Sequence, residues 1–454
     1  MRRALSTFSS QFSRLFTVPV IASLALTGGA LPIARADTGA VTLRLLLWNN
    51  PPTVAAISQI DAAFAAKYPN ISVELTEVDT ANDPQAVATR LAANGVDIFA
   101  YGMFNGAPAS YTAASAKPSW VQYIEAGQIM DLTGQPFLKH YYPAALANAS
   151  TYKGKIYSFT TGSYAFTGVF YNKALFKQYG LAVPTTFNQL MAVAASLKSH
   201  GVAPFISGGK DTWPLGLITQ GVETALYPDL AGLDKGLWTG NMKFTDPTAL
   251  QVFVRTQKIL QYMQQNFMGV GSIGAVSQFA AGHAAMLPSG TWDGPSIETA
   301  NPALSFGYFP LPGSDNPKNN AVLGSKYDVA FCVANRSVNK DAALKWMAFV
   351  SEPANYARYV NAVGIIPAQP GITLTDPFLK EVAPLASTLK LAPELVVHQP
   401  SYDGKLGTFQ FGKYAGFQHA AIFLAPAGPI ASPAELAASA QRDWSAGVTT
   451  LLKK

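Results

Sequence analysis

From residue 41 onward, short apolar runs alternate with longer stretches in which apolar residues recur at helical spacing. Residues 41–48, VTLRLLLW, are almost continuously apolar and suit a strand buried on both faces. In residues 53–68, Val54, Ile57, Ile60, Ala63 and Phe64 recur every three or four positions and predict a helix. A strand over 71–78, a helix over 84–94 and a strand over 96–101 follow. This βαβαβ order predicts an α/β fold, a sheet with helices on its faces.

The stretch 152–190 continues the alternation. Ile156, Tyr157 and Phe159 follow a turn at Gly154, and the aromatic and β-branched run 166–171 suits a second buried strand. Asn172-Lys173 opens a short helix that stops at Gly180, a C′ glycine. Thr185 or Thr186 then caps a helix over 187–198. Residues 248–265 and 340–350 have the spacing of amphipathic helices of a second lobe. Residues 284–287 and 329–333 read as strands, and GVGSIG at 269–274 as a loop.

Several motifs stand in a telling order: YKGKIYSF…VFYNKALFKQYGLAVPTT, GGKDTWP at 208–214, QFAAGHAAMLPSGTWDG at 278–294, FPLPGSD at 309–315 and GIIPAQPG at 364–371. With VTLRLLLWNN and FAAKYPNISVEL near the start, they resemble the sugar-binding family of bacterial extracellular solute-binding proteins that serve ABC transporters. The resemblance spans residue 41 to the end. It implies a two-lobed periplasmic binding protein fold of type II, α/β in both lobes, with several hinge crossings. The crossings are expected near 160–163, 286–289 and 334–338. The N-terminal lobe would then hold 41–162 and 288–337, and the C-terminal lobe 163–287 and 338–454.

Charge and export change the picture little. Arg2, Arg3 and Arg14 precede an apolar run to Leu31, and Ala34-Arg35-Ala36 is a small-x-small cleavage site. This is the pattern of a signal peptide, 1–36, cleaved after Ala36 to release a periplasmic protein. Arg2-Arg3 leaves both the general secretory and the twin-arginine routes open. Of the net +6, four arginines lie in residues 1–36, which hold no acid, so the remaining 418 residues carry +2. A nucleic-acid partner loses its electrostatic support. The one cysteine, Cys332, lies in an apolar run and reads as an inert core thiol, and no disulfide can form within the chain.

The chain holds 7 Trp, 19 Tyr and 26 Phe, and several fall just beyond strand ends, where α/β sheets bind ligands. A sugar ring wants an aromatic plate on its C–H face and amides or carboxylates around its rim. Trp48-Asn49 offers both, though Trp48 reads equally as the last core residue of its strand. Tyr101 and Tyr164 read as cleft residues or as packing. Asp211 and Trp213 read as ligand contacts, or as a helix cap and a packed indole ahead of Pro214. Trp292-Asp293 lies between Gly290 and Gly294, and the resemblance implies that Trp292 stacks on the sugar. Either Tyr327 or Asp328 reaches the cleft, and the aromatic stretch 407–418 offers a further face.

The histidines at 140, 200, 283, 398 and 419 are scattered, so no metal site is expected and no cofactor is implied. No G-x-S-x-G or P-loop is present. The expectation is a monomeric, non-enzymatic protein that captures a sugar or polyol and delivers it to the inner-membrane ABC permease. A polyamine or other cationic solute is the alternative. A secreted glycan hydrolase, using a pair among Asp211, Asp293 and Asp328, is a further one.

Overall fold

In the computed structural model, the residues described are 39–79, 82–102, 109–112, 117–327, 329–388, 390–393, 413–417, 419–426 and 428–452. The signal peptide and its cleavage site, the Met103–Asn105 loop, Asp328 and positions 407–412 and 418 lie outside them. The first five-stranded sheet has the spatial order Ile71–Val78, Val41–Trp48, Ile98–Gly102, Val329–Val333, Phe159–Thr160. Its first three strands run parallel, in register from Val41 opposite Ile71 to Trp48 opposite Val78. The last two run antiparallel to their neighbours.

The apolar run VTLRLLLW is explained by burial on both faces. Leu43, Leu45 and Leu47 pack on helix Pro51–Lys67 through Ile57, Ile60 and Phe64, while Leu46 packs with Val87, Leu91 and Phe99 on the other side. Asn50 starts the helix by accepting from the Thr53 backbone N–H at 3.1 Å and its hydroxyl at 2.7 Å. Cys332 is buried in the second of these cores, and desolvation raises its pKa.

The second sheet runs Phe306–Pro310, Gly168–Asn172, Ala284–Ser289, Ala203–Phe205. Helices Phe187–Ser199, Trp213–Leu226, Pro247–Leu260 and Pro433–Leu452 bury their apolar stripes in a core with Val169, Phe205 and Met286. Thr186, of the two threonines, is the cap of helix Phe187–Ser199, accepting from the Gln189 N–H at 3.3 Å.

A third small sheet is built from the segments that pass between the other two. Gly162–Ala165 leads from the first sheet into the second, and Val322–Tyr327 leads back. The two pair antiparallel, with Lys326 opposite Tyr164. Ile366–Pro367 adds to the same sheet beside Ser163. Two paired connecting strands form a hinge about which lobes can rotate without unfolding.

Gly162–Ala165 joins the two sheets next to the expected first crossing at 160–163. Residues 286–289 are the interior of a second-sheet strand, and the return to the first sheet runs through 322–329. Strand Phe306–Pro310 pairs with Gly168–Asn172, so the part of 288–337 that precedes residue 322 belongs to the second sheet. No crossing occurs at 334–338. Helices Lys340–Ser351 and Pro353–Val363 pack on the first sheet, with Trp346 against Phe331 at 5.1 Å between ring centroids and Tyr356 and Val360 in the same core. An amphipathic period names the buried face of a helix but not the sheet that buries it.

Candidate functional site

A cleft of about 800 Å³ opens between the lobes. Its position follows from strand order. Val41–Trp48 sits between Ile71–Val78 and Ile98–Gly102, so the chain departs to opposite sides after these strands, and a crevice forms beyond their carboxyl ends. Trp48, Asn49 and Tyr101 stand at that edge and line the cleft. The second lobe supplies Trp213, Leu217 and Gln220 from helix Trp213–Leu226 and Ser272 and Ile273 from helix Ser272–Ala280. Lys326 and Tyr164 come from the hinge.

Three aromatic residues cluster beside the hinge, against the first core. Tyr164 meets Trp292 edge to face at 5.6 Å, Trp213 lies 6.0 Å from Trp292, and the Lys326 ammonium sits 5.2 Å from the Trp292 ring centroid. Trp292 is therefore only 7 % exposed and Tyr164 only 2 %. Both border the cleft, yet most of their surface is committed to packing. Trp48 and Trp213 are half-buried and keep open indole surface toward it.

The polar groups are amides, hydroxyls and a few charges. The carboxamides of Asn49 and Gln220 have no hydrogen-bond partner among the described residues, and each faces the cleft from a different lobe. Asp293 keeps part of its surface open to the cleft but is largely enclosed, and this desolvation pushes its pKa up to about 7. Hydrogen bonds from Ser289 and Trp292 limit the rise. His419 also borders the cleft, with desolvation lowering its pKa to about 4, so its imidazole is neutral at pH 7. No arginine lines the cleft among the described residues.

Two expected site residues do not reach it. Asp211 is turned away: its Oδ2 accepts from the Ser272 backbone N–H at 2.6 Å and the Ser272 hydroxyl at 2.7 Å, capping a helix other than the one it precedes. Tyr327 packs on the first core, because alternation along Val322–Tyr327 sends Lys326 to the cleft and Tyr327 to the other face. Trp48, Asn49, Tyr101, Tyr164, Trp213, Trp292 and Asp293 do line it. Reasoning from sequence missed Gln220 and Lys326. The signal for Gln220 was its helical spacing from Trp213, Gly216 and Leu217, and for Lys326 its alternation with Tyr327. No group of three or more His, Cys, Asp or Glu able to hold a metal occurs among the described residues.

A two-lobed α/β molecule with an interlobe cleft of aromatic and amide character is a solute receptor of type II architecture. Residues 59–386 match the model of the bacterial extracellular solute-binding protein family, and the chain belongs to that family. It is 23 % identical over 323 residues to the multiple sugar-binding protein of Streptococcus mutans, covering 70 % of this chain and 73 % of the relative. It is 24 % identical over 365 residues to an uncharacterised ABC transporter extracellular-binding protein of Pyrococcus horikoshii, covering 77 % of each. Among solved structures, the raffinose complex of the solute-binding protein RafE superposes with a TM-score of 0.72 at 19 % identity, covering 88 % of this chain and all of that one (100 %). A chitin oligosaccharide binding protein gives 0.71 at 20 % identity, covering 90 % and 99 %.

Proposed function

We propose that this protein is the substrate-binding component of an ABC importer, capturing a sugar or polyol in the interlobe cleft and delivering it to a membrane permease. One observation carries the reading. Asn49 and Gln220, from opposite lobes, offer unpaired carboxamides to one cleft, beside the half-open indoles of Trp48 and Trp213. A polyhydroxylated ring satisfies all four groups together: its hydroxyls exchange hydrogen bonds with the amides while its C–H faces cover the indoles. The first turn of helix Ser272–Ala280 borders the same space, and the N–H groups beyond Ser272 add backbone donors. The relatives named as sugar-binding proteins support the same ligand class.

The supporting picture is of a monomer in the periplasm, released after Ala36, that binds without chemical change to the ligand. Of the carboxylates considered for a hydrolase, Asp211 caps a helix and Asp293 borders the cleft, where Asp83 is a second carboxylate in the lining.

The test is a thermal-shift screen of residues 37–454 against mono- and oligosaccharides, polyols, polyamines and simple anions. A binder at 100 times its Kd stabilises the fold by about 2.7 kcal/mol. A sugar or polyol hit supports the reading. A hit among polyamines alone replaces the ligand class. Release of reducing ends from oligosaccharides at a turnover rate overturns the binding-only role.

A further inference from the structure

The helix that carries Trp213 and Gln220 begins with a strained turn. Thr212 has φ +64° and ψ −43°. The Trp213 N–H donates to the Asp211 carbonyl at 2.8 Å, closing a three-residue γ-turn. With a positive φ this is the rare and strained form of that turn, and a β-branched residue is the least suited to it. The Thr212 hydroxyl adds a bond to the same Asp211 carbonyl at 2.6 Å.

The surroundings hold the turn in place. The Asp211 carboxylate is clamped on the backbone N–H and hydroxyl of Ser272, at 2.6 and 2.7 Å. Lys210 N–H donates to the Val270 carbonyl at 3.0 Å and Gly209 N–H to the Phe267 carbonyl at 3.2 Å. A Cβ on Gly208 or Gly209 would collide with the backbone of Ser272 or Met268, so the two segments lie as close as glycine allows. Residues 208–213 are thereby stapled to 267–272, and two helix starts that border the cleft share one clamp.

Strain is retained where the surroundings over-determine it, and such sites cluster at ligand-binding walls. Resting on the solute-binding reading, we propose that Thr212 is a positioning residue. Its γ-turn, anchored through Asp211 on Ser272, holds the Trp213 indole in its ligand-ready place before the solute arrives. The threonine keeps the turn narrow, whereas glycine would relax it and let the first turn of the helix sample other directions. The cost falls on stability and the gain on binding, because a group already in place loses less freedom when the ligand meets it.

The variant Thr212→Gly separates this role from a purely structural one, since the two predict different outcomes. The wild type and variant are compared for melting midpoint without ligand and for affinity toward glucose, maltose, raffinose and sorbitol. Both are also labelled with 5-fluorotryptophan, with Trp213→Phe used to assign the resonance of Trp213. The expected result is a higher melting midpoint, an affinity loss on the order of 3- to 10-fold, and a Trp213 resonance that broadens or splits in the ligand-free variant. Unchanged affinity with an unchanged single resonance overturns the positioning role while leaving the solute-binding reading intact. Should the wild type bind none of the four probes, the fluorine spectrum still decides whether Thr212 fixes Trp213, and an unchanged single resonance in Thr212→Gly overturns the proposal. Asp211→Asn, which keeps the size but weakens the acceptor toward Ser272, should reproduce the broadening; a sharp, unshifted resonance there removes Asp211 from the device.

Discussion

Tyr111 donates its hydroxyl hydrogen to Asp234 Oδ2 at 2.8 Å, tying a segment that follows first-sheet strand Ile98–Gly102 to helix Leu230–Thr239 of the second lobe. The contact is distant in sequence and lies away from the hinge sheet. Asp234 sits in turn beside Glu223, and both carboxyls are almost fully buried. Glu223 Oε1 and Asp234 Oδ1 have no partner among the described residues.

Burial first, and the Asp234 charge second, push Glu223 up to about 8. Burial pushes Asp234 up to about 7, against the bond from Tyr111. The unfolded chain releases these protons near 4, so the folded state holds more protons between about pH 4 and 8. Their contribution to stability is complete below pH 4 and lost as pH rises through 7 and 8. Glu223→Gln removes the charge without changing the shape. The variant should melt higher than the wild type at pH 8.5, and the gap should narrow as pH falls and close only near pH 4. A gap that stays constant with pH refutes this account.

Asp61 accepts from the Trp346 indole N–H at 2.6 Å, joining helix Pro51–Lys67 to helix Lys340–Ser351. Desolvation raises its pKa to about 7, opposed by that bond. The sign is the same: stability falls as pH rises through 7. Asp61→Asn keeps an acceptor and should flatten that part of the profile. Asp61→Ala strands a buried indole N–H and should cost about 1–3 kcal/mol at low pH, a deficit that shrinks as pH rises through 7 and the wild type loses the Asp61 contribution. Chemical denaturation at pH 5.5 and 8.5 distinguishes the two.

Trp213 and Trp292 should respond differently to truncation. The resemblance implies that Trp292 stacks on the sugar, and it is packed among Tyr164, Trp213 and Lys326. Trp292→Ala is expected to cost about 3–5 kcal/mol of stability. Trp213, half-buried against the same cluster, should cost less stability on truncation to Ala than Trp292 and weaken binding by about 2 kcal/mol, roughly thirtyfold. Calorimetric titration beside thermal melting of both variants checks the contrast, and equal stability losses would refute it.

Asp293 borders the cleft with its pKa raised to about 7 by desolvation. An ionised carboxylate accepts hydroxyl hydrogens more strongly than a neutral one. Affinity for a polyhydroxylated ligand should therefore rise as pH passes from 6 to 8, with Asp293→Asn removing the inflection. Titrations at four pH values decide it, and a flat wild-type profile would take Asp293 out of ligand recognition.

The residues legible in the sequence are those whose role is local. Trp48-Asn49 and Tyr101 end strands whose apolar runs are visible in the chain, and strand ends are where α/β sheets bind. Trp213 and Trp292-Asp293 sit in short loops bracketed by glycine or proline, and their motifs survive as linear text. Thr186 and Asn172 cap helices from their own sequence neighbourhood.

Other roles depend on what packs against each residue. Asp211 precedes a helix, yet it caps another one that begins at Ser272, sixty-one positions away. Lys326 and Tyr327 differ only in which face of their strand meets the cleft, and pairing with Gly162–Ala165 sets that face. The apolar stripe of Lys340–Ser351 was readable, but its burial against Phe331 and Ile57 was not. The α/β alternation and the family motifs are readable along the chain, because periodicity, caps and turns act over a few residues. Which sheet each later segment packs on, and which aromatic side chains are enclosed, follows from contacts between residues hundreds of positions apart.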